Sequence, residues 1–588
     1  MPRPSALPLS LVLSLAGAYV IAQEAPAPPT FNWTSVKACS ELKWKPCYLP
    51  NFECARLNVP LDYSAPDKGP VAIAMTRFRS TADASAYRGP ILLNPGGPGG
   101  SGVEWVLQVG PQIAKVAGPE FDIVGFDPRG VSLSEPTVSW FDNDAERVAW
   151  IPPATNAVYH SVNASADALA RFAARTQIQA QLAVARDTKN TLQHVTTDNT
   201  ARDMLTITEK FGFEKLQFYG ISYGTVLGAT FASMFPDKVG RIAIDGVVPM
   251  DEYYSGKFFF LAALQLLIFL GLPAQMTNAV LDADKALDAF ASSCFEAGPE
   301  ACAFHNNASS ASAISDAITA LFTSVQTNPV AAFAAPAAGA YGIVDYSFLK
   351  NVFFQILYRP YDLFPVLAAG LANLAAGNAS TIYAGAMQGV QPFTCSADAA
   401  PQPHSFESFV SIICNDAAAL NDTLPELEEN YKAGERSSRN FGDLIANWRM
   451  LCAPWKVHRE GRFSGPFGAE KTATPLLVIG NTADHVTPLA GAAKTVSFFP
   501  GSALLTYDAV GHTSTIAPSN CVYGVLGAYF RDGTLPPKDT VCQPDVKLFG
   551  PPPTEPAPPA ASGEARREVT RRGLGAGITG MWGTRFTL

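Results

Sequence analysis

The stretch KLQFYGISYGTVLG, residues 215–228, decides the fold. It opens as a short apolar run that stops at Gly220. It resumes as a segment in which Gly224, Gly228 and then Ala232 recur every four residues, the flat face of a helix that can lie close on a sheet. Ser222 stands between the halves, two residues from a glycine on either side. A strand turning sharply into a helix brings the positions two before and two after the turn together, so both must be small. The pattern predicts strained backbone at Ser222 and the partial positive charge of a helix N-terminus beneath its hydroxyl. A serine hydroxyl is a poor nucleophile unless a base takes its proton, so the reading requires partners elsewhere in the chain.

Five other apolar runs share the strand character: PILLNP (90–95), FDIVGFD (121–127), RIAIDGVV (241–248), PLLVIGN (475–481) and ALLTYDAVG (503–511). They are near-continuous rather than alternating, as in parallel strands covered by helices on both faces. With helical stretches between them they imply an α/β fold, a mostly parallel doubly wound sheet whose functional residues gather at the strands' carboxyl ends. From Pro249 to about Trp448 the rhythm changes to Ala-, Phe- and Leu-rich helical spacing with few strand signals. This reads as a helical cap inserted into the sheet domain. The expected boundaries are 31–248 for the N-terminal part of the core, 249–448 for the cap and 449–548 for the C-terminal part of the core.

Seven histidines compete for the role of base. His512, in YDAVGHTS, directly follows the last strand-like run, where sheet order puts a base-bearing loop; His485 is a decoy beside an aspartate, and the other five lie in helical or cap stretches. The acid that orients an imidazole and stabilises its cation is Asp484, in VIGNTADHVTP after the penultimate strand, with Asp245 after RIAID as its rival. Ser222, Asp484 and His512 then follow the chain order of an α/β-hydrolase. The glycine-rich turn LLNPGGPGGSG (92–102) supplies amides for an oxyanion: Pro98 has no N–H, so Gly97 is the donor, together with the amide of Tyr223. The turn lacks the G-K-[ST] and G-x-G-x-x-G patterns of a phosphate cradle.

The 588 residues exceed one ordinary core, and 48% hydrophobic against 16% charged residues suits a globular protein. A net charge of −9 with a pI near 5.4 argues against a nucleic-acid partner. Residues 1–22 read as a secretory signal, with Arg3, an apolar stretch and the small residues Val20 and Ala22. Ten cysteines without metal-site spacing read as disulfides. Local loops suggest Cys47–Cys54, Cys294–Cys302 and Cys521–Cys542, although spacing alone does not fix connectivity. Sequons at Asn32, Asn163, Asn307, Asn378 and Asn421 offer glycan acceptors once the chain is exported. The apolar run 258–272 is short for a bilayer span and reads as a cap helix; membrane association through it is the weaker reading. The tail 549–588, Pro/Ala-rich and then basic, reads as disordered.

Taken together, LNPGGPGGSG, GFDPRGVSLSEP, the segment from DMLTITEKFGFEKLQFYG to RIAIDGV, PLLVIGNTADHVTP and GHTS…CVYGVLGAYFRDGTLPPKDTVC resemble the secreted tripeptidyl-aminopeptidase-like α/β-hydrolases, relatives of the proline iminopeptidases. The resemblance covers most of Cys39 to Leu548 outside the cap. It implies a serine exopeptidase with nucleophile Ser222, acid Asp484, base His512 and oxyanion glycine Gly97, the residues reached above without it. The chain departs from that family at His485, where a proline is usual, and in the apolar run 258–272.

An exopeptidase must hold a free α-ammonium at a fixed distance from the serine, and Asp251 and Glu252 in VPMDEYYSG are the candidate carboxylates. The leading expectation is a secreted serine hydrolase that releases tripeptides or dipeptides from free N-termini. A carboxylic-ester hydrolase on the same triad is the alternative, and a silent binding protein on this fold the third reading. Substrates are thus peptides with free N-termini or small esters; no cofactor and no metal are implied.

Overall fold

The computed structural model describes residues 31–150, 161–256, 280–335, 340–387 and 405–551. The expected leader 1–22, the apolar run 258–272, Cys395 and the tail from residue 552 lie outside the described residues.

Twelve strands are described: β1 (Lys45–Pro46), β2 (Phe52–Pro60), β3 (Pro70–Phe78), β4 (Pro90–Asn94), β5 (Asp122–Phe126), β6 (Leu216–Ile221), β7 (Val239–Asp245), β8 (Val330–Ala335), β9 (Ala340–Val344), β10 (Leu477–Ala483), β11 (Ala503–Val510) and β12 (Val541–Cys542). Ten form one sheet in the order β1-β2-β3-β5-β4-β6-β7-β10-β11-β12. Neighbours from β5 through β12 pair in parallel, and β1, β2 and β3 add an antiparallel edge ending against β5. Every residue of β4 and β5 is buried, which is why their runs are continuously apolar. In β2 exposure partly alternates, the mark of a strand covered less completely.

The site's location follows from strand order. From β4 the chain crosses to β5 on one side and later to β6 on the other, so the loops after β4 and β6 leave the sheet at a point where its winding reverses. Crevices at such points are the ordinary ligand sites of doubly wound sheets. Here the two loops are the glycine-rich turn and the turn at Ser222.

Between β7 and β10 the described residues are mostly helical, including Ala283–Ala301, Ala311–Thr327, Pro360–Ala375, Ser405–Asp416 and Gly442–Cys452. It also holds the antiparallel hairpin β8–β9, which Ala-rich VAAFAA did not announce. The three local disulfides form, and a fourth, Cys414–Cys452, joins the ends of two helices.

Candidate active site

Ser222 sits at the end of β6 with φ 57° and ψ −123°, positive φ being a costly conformation for a residue with a Cβ. The helix Tyr223–Met234 starts at the next residue. The flanking glycines are sterically required. A Cβ on Gly220 would lie 2.4 Å from Gly224 O, and one on Gly224 would lie 2.8 Å from Asn94 O at the end of β4. The Ser222 amide donates to Asp245 O at 2.9 Å, tying the turn to β7.

The loop after β4 folds against this turn. A Cβ on Gly96 would be 2.8 Å from Ser222 Cβ and 3.0 Å from Tyr223 N. The Gly96 amide is taken by Asn94 Oδ1 at 2.9 Å and the Gly100 amide by Gly96 O at 3.1 Å. Gly97 N–H makes no hydrogen bond among the described residues. Tyr223 N–H is the first amide of its helix and has no intrahelical acceptor. Two uncommitted amides therefore flank the contact between Gly96 and Ser222, that of Tyr223 next to Ser222 and that of Gly97 next to Gly96.

Asp484 follows β10 and His512 follows β11, adjacent parallel strands. His512 Nδ1 lies 2.9 Å from Asp484 Oδ2 and 3.0 Å from Oδ1. Both side chains are almost fully buried. The carboxylate also accepts from Val486 N and Thr487 N at 2.9 Å, Thr513 N at 3.1 Å and Thr487 Oγ1 at 2.7 Å. Burial alone would push the Asp484 carboxyl up; the facing His512 and these hydrogen bonds outweigh it and hold the group below its usual range. The other ring nitrogen, Nε2, is buried without a hydrogen-bond partner among the described residues. The imidazole reaches the turn after β7: a Cβ on Gly246, next to the Asp245 whose carbonyl accepts from Ser222 N, would be 3.3 Å from its Cε1.

Asp245, the rival acid, accepts from Ser514 N at 2.9 Å, Ser514 Oγ at 2.6 Å and Tyr219 OH at 2.8 Å. It holds the loop two residues beyond His512 and makes no hydrogen bond to the imidazole; burial raises its pKa. His485 is fully buried, edge-on to Phe354 at 4.9 Å and Tyr358 at 4.5 Å. Burial pushes its imidazole down to about 3.

Asp251 and Glu252, the candidate ammonium-binding carboxylates, both face a lysine of this chain. Lys494 Nζ lies 2.8 Å from Asp251 Oδ2 and 2.6 Å from Glu252 Oε1. Because β10 neighbours β7, the helix Leu489–Phe498 packs on the segment after β7: a Cβ on Gly491 would touch Val247 O at 2.7 Å. That contact brings the lysine onto both carboxylates. Sequence reasoning missed Thr487, whose hydroxyl also lies 3.0 Å from His512 Nδ1, and Asn94. Thr487 was findable as a hydroxyl three residues after the acid, a spacing suited to local capping.

The sheet order, the strained turn after β6 and the loops at the strand ends define an α/β-hydrolase fold. Residues 89–293 match the sequence profile described as alpha/beta hydrolase fold, and residues 438–542 match that of TAP-like protein. Both matches support a TAP-like α/β-hydrolase. It is 28% identical over 514 residues to the serine protease Hip1 of Mycobacterium tuberculosis, covering 85% of this chain and 91% of that one. Against the tripeptidyl aminopeptidase of Streptomyces lividans it is 26% identical over 519 residues, covering 86% and 87%. Against carboxylesterase B of M. tuberculosis it is 26% identical over 535 residues, covering 88% and 90%. No helix among the described residues is long and apolar enough to cross a membrane.

Proposed function

We propose that the chain is a secreted serine exopeptidase that releases short peptides from free N-termini through an acyl-enzyme on Ser222. The observation that carries this reading is the buried Asp484–His512 pair, whose Nε2 is left unpartnered among the described residues at the strand ends beside the strained serine turn. In this mechanism Ser222 Oγ attacks the scissile carbonyl carbon and His512 Nε2 takes the hydroxyl proton. Asp484 keeps the proton on Nδ1 and stabilises the imidazolium. Negative charge growing on the carbonyl oxygen is met by the amides of Gly97 and Tyr223. His512 then returns the proton to the leaving amine, and water, activated by the same imidazole, hydrolyses the ester. The peptidase names of two relatives support the amide substrate, and the four disulfides support export.

A second reading, carboxylic-ester hydrolysis, is supported by the Lys494 pairing, which already supplies a cation to Asp251 Oδ2 and Glu252 Oε1 where a substrate ammonium would have to compete. The carboxylesterase name of a third relative points the same way. One comparison separates the two: a free-amine tripeptide amide, its N-blocked form and a short p-nitrophenyl ester. Turnover of the free-amine peptide but not of its blocked form supports the exopeptidase. Equal turnover of both peptides removes the ammonium requirement, and turnover of the ester alone supports the esterase.

A further inference from the structure

The helix Ser405–Asp416 contacts the loop that carries Gly97 and, through Thr197, reaches the ring of Tyr223; it is buried from Phe406 to Asp416. At its N-terminal end it meets the loop after β4: a Cβ on Gly99 would lie 2.7 Å from Ser405 O and 3.2 Å from Phe409 N. Ser408 Oγ donates to Gly130 O at 2.7 Å beside it. At the other end Asp416 accepts from Thr197 N at 2.9 Å, from Thr197 Oγ1 and from Tyr253 OH at 2.9 Å. Thr197 opens the helix Thr197–Lys210, whose N-cap Thr196 makes no side-chain capping bond, so Asp416 caps that helix from outside it. A threonine hydroxyl has one proton, and here it goes to Asp416. The Tyr223 hydroxyl, also hydrogen-bonded to Thr197 Oγ1, must therefore be the donor in that pair. The result is a buried chain from Tyr223 through Thr197 to Asp416, anchored two residues away by the Cys414–Cys452 disulfide.

We propose that Asp416 is a positioning residue for acyl transfer: through Thr197 it fixes the ring of Tyr223, and with it the Tyr223 amide beside Ser222. The proposal rests on the reading of Ser222 as nucleophile and of that amide as an oxyanion donor. Asp416 touches no reacting atom. It acts because Tyr223 carries the amide on its backbone and the hydroxyl on its ring, so anchoring one end restricts the other.

The test uses the whole protein as wild type, Asp416→Asn, Thr197→Val and the double variant. The readouts are the rate of Ser222 labelling by a fluorophosphonate, kcat and KM on the substrate that wild type turns over, and Tm. Thr197→Val keeps the branched shape and the backbone N–H but removes the hydroxyl link. Each single variant is expected to lower the labelling rate and kcat by about 10- to 100-fold, as displacing a catalytic group does, with KM unchanged within about twofold. The double variant should be no slower than the slower single, because the two act in series. Independent multiplied losses overturn the proposal, as do unchanged labelling or equal shifts in kcat and KM that track Tm. If Asp416→Asn does not fold, Thr197→Val decides alone. Wild type labelled at Ser222 but inert on peptides sinks the peptidase reading and leaves the labelling rates to judge Asp416; wild type unlabelled at Ser222 overturns both.

Discussion

Asp245 and Asp484 are buried carboxylates at the carboxyl ends of neighbouring parallel strands, and their hydrogen bonds assign them different work. Asp484 faces the imidazole, whereas Asp245 faces the backbone and hydroxyl of Ser514. Asp484→Asn reverses the preferred tautomer of His512 and is expected to lower kcat by about 10⁴, as the same change does in a related triad. Asp245→Asn leaves an acceptor for Ser514 N and is expected to cost far less; steady-state kinetics of both variants check this. His485 makes a pH prediction. Its ordinary pKa of 6.5 falls to about 3 in the folded protein, chiefly by burial. The unfolded chain therefore binds a proton that the folded chain refuses. This contribution to stability is intact above about pH 6.5 and is lost progressively as the pH falls towards 3. His485→Phe should narrow the gap between urea midpoints at pH 7.5 and pH 4.5. Asp251→Asn and Glu252→Gln, each removing one partner of a part-buried ion pair, are expected to change kcat/KM on free-amine peptides by at most about fivefold. A hundredfold rise in KM on those peptides alone would mark them as the ammonium site.

At the scale of elements, the turn around Ser222 was legible because its requirement is steric and local. A Cβ on Gly224 meets a backbone oxygen 2.8 Å away that cannot swing aside. Gly224→Ala is expected to destabilise the protein by roughly 1–3 kcal/mol, read as a shifted denaturation midpoint, by forcing β4 and β6 apart. Strands of the parallel half announced themselves as continuous apolar runs. β2 did not, because its part-buried charged residues Glu53 and Arg56, on opposite faces of the strand, interrupt the apolar run. The work of the helix Ser405–Asp416 was also hidden. SFESFVSIICND carries five acidic or serine positions, Ser405, Glu407, Ser408, Ser411 and Asp416, yet eleven of its twelve residues are buried. Their partners, Gly99, Gly130 and Thr197, are remote in the chain, and no local pattern encodes such pairings. The same remoteness concealed Cys414–Cys452, which closes 38 residues. By loop entropy that closure is worth about 3–4 kcal/mol, so mild reduction should lower Tm.

At the scale of the molecule, chain order carried the most information. β7, β10 and β11 are neighbours in the sheet although the helical segment separates the first two by more than two hundred residues. That adjacency lets Asp245, Asp484 and His512 share one edge of the crevice with Ser222. Substrate choice stayed illegible for a related reason: it depends on which charges the packed helices leave open, and Lys494 reached Asp251 and Glu252 only through the fold. The central claim is that Ser222 is acylated with His512 as its base. Mixing the enzyme with a slowly deacylating p-nitrophenyl ester, quenching in acid and mapping the adduct by mass spectrometry tests it directly. The account predicts one acyl group per chain, on the peptide containing Ser222, absent from Ser222→Ala and from His512→Gln. An adduct on another residue, or one that persists at Ser222 when His512 is replaced, would contradict it.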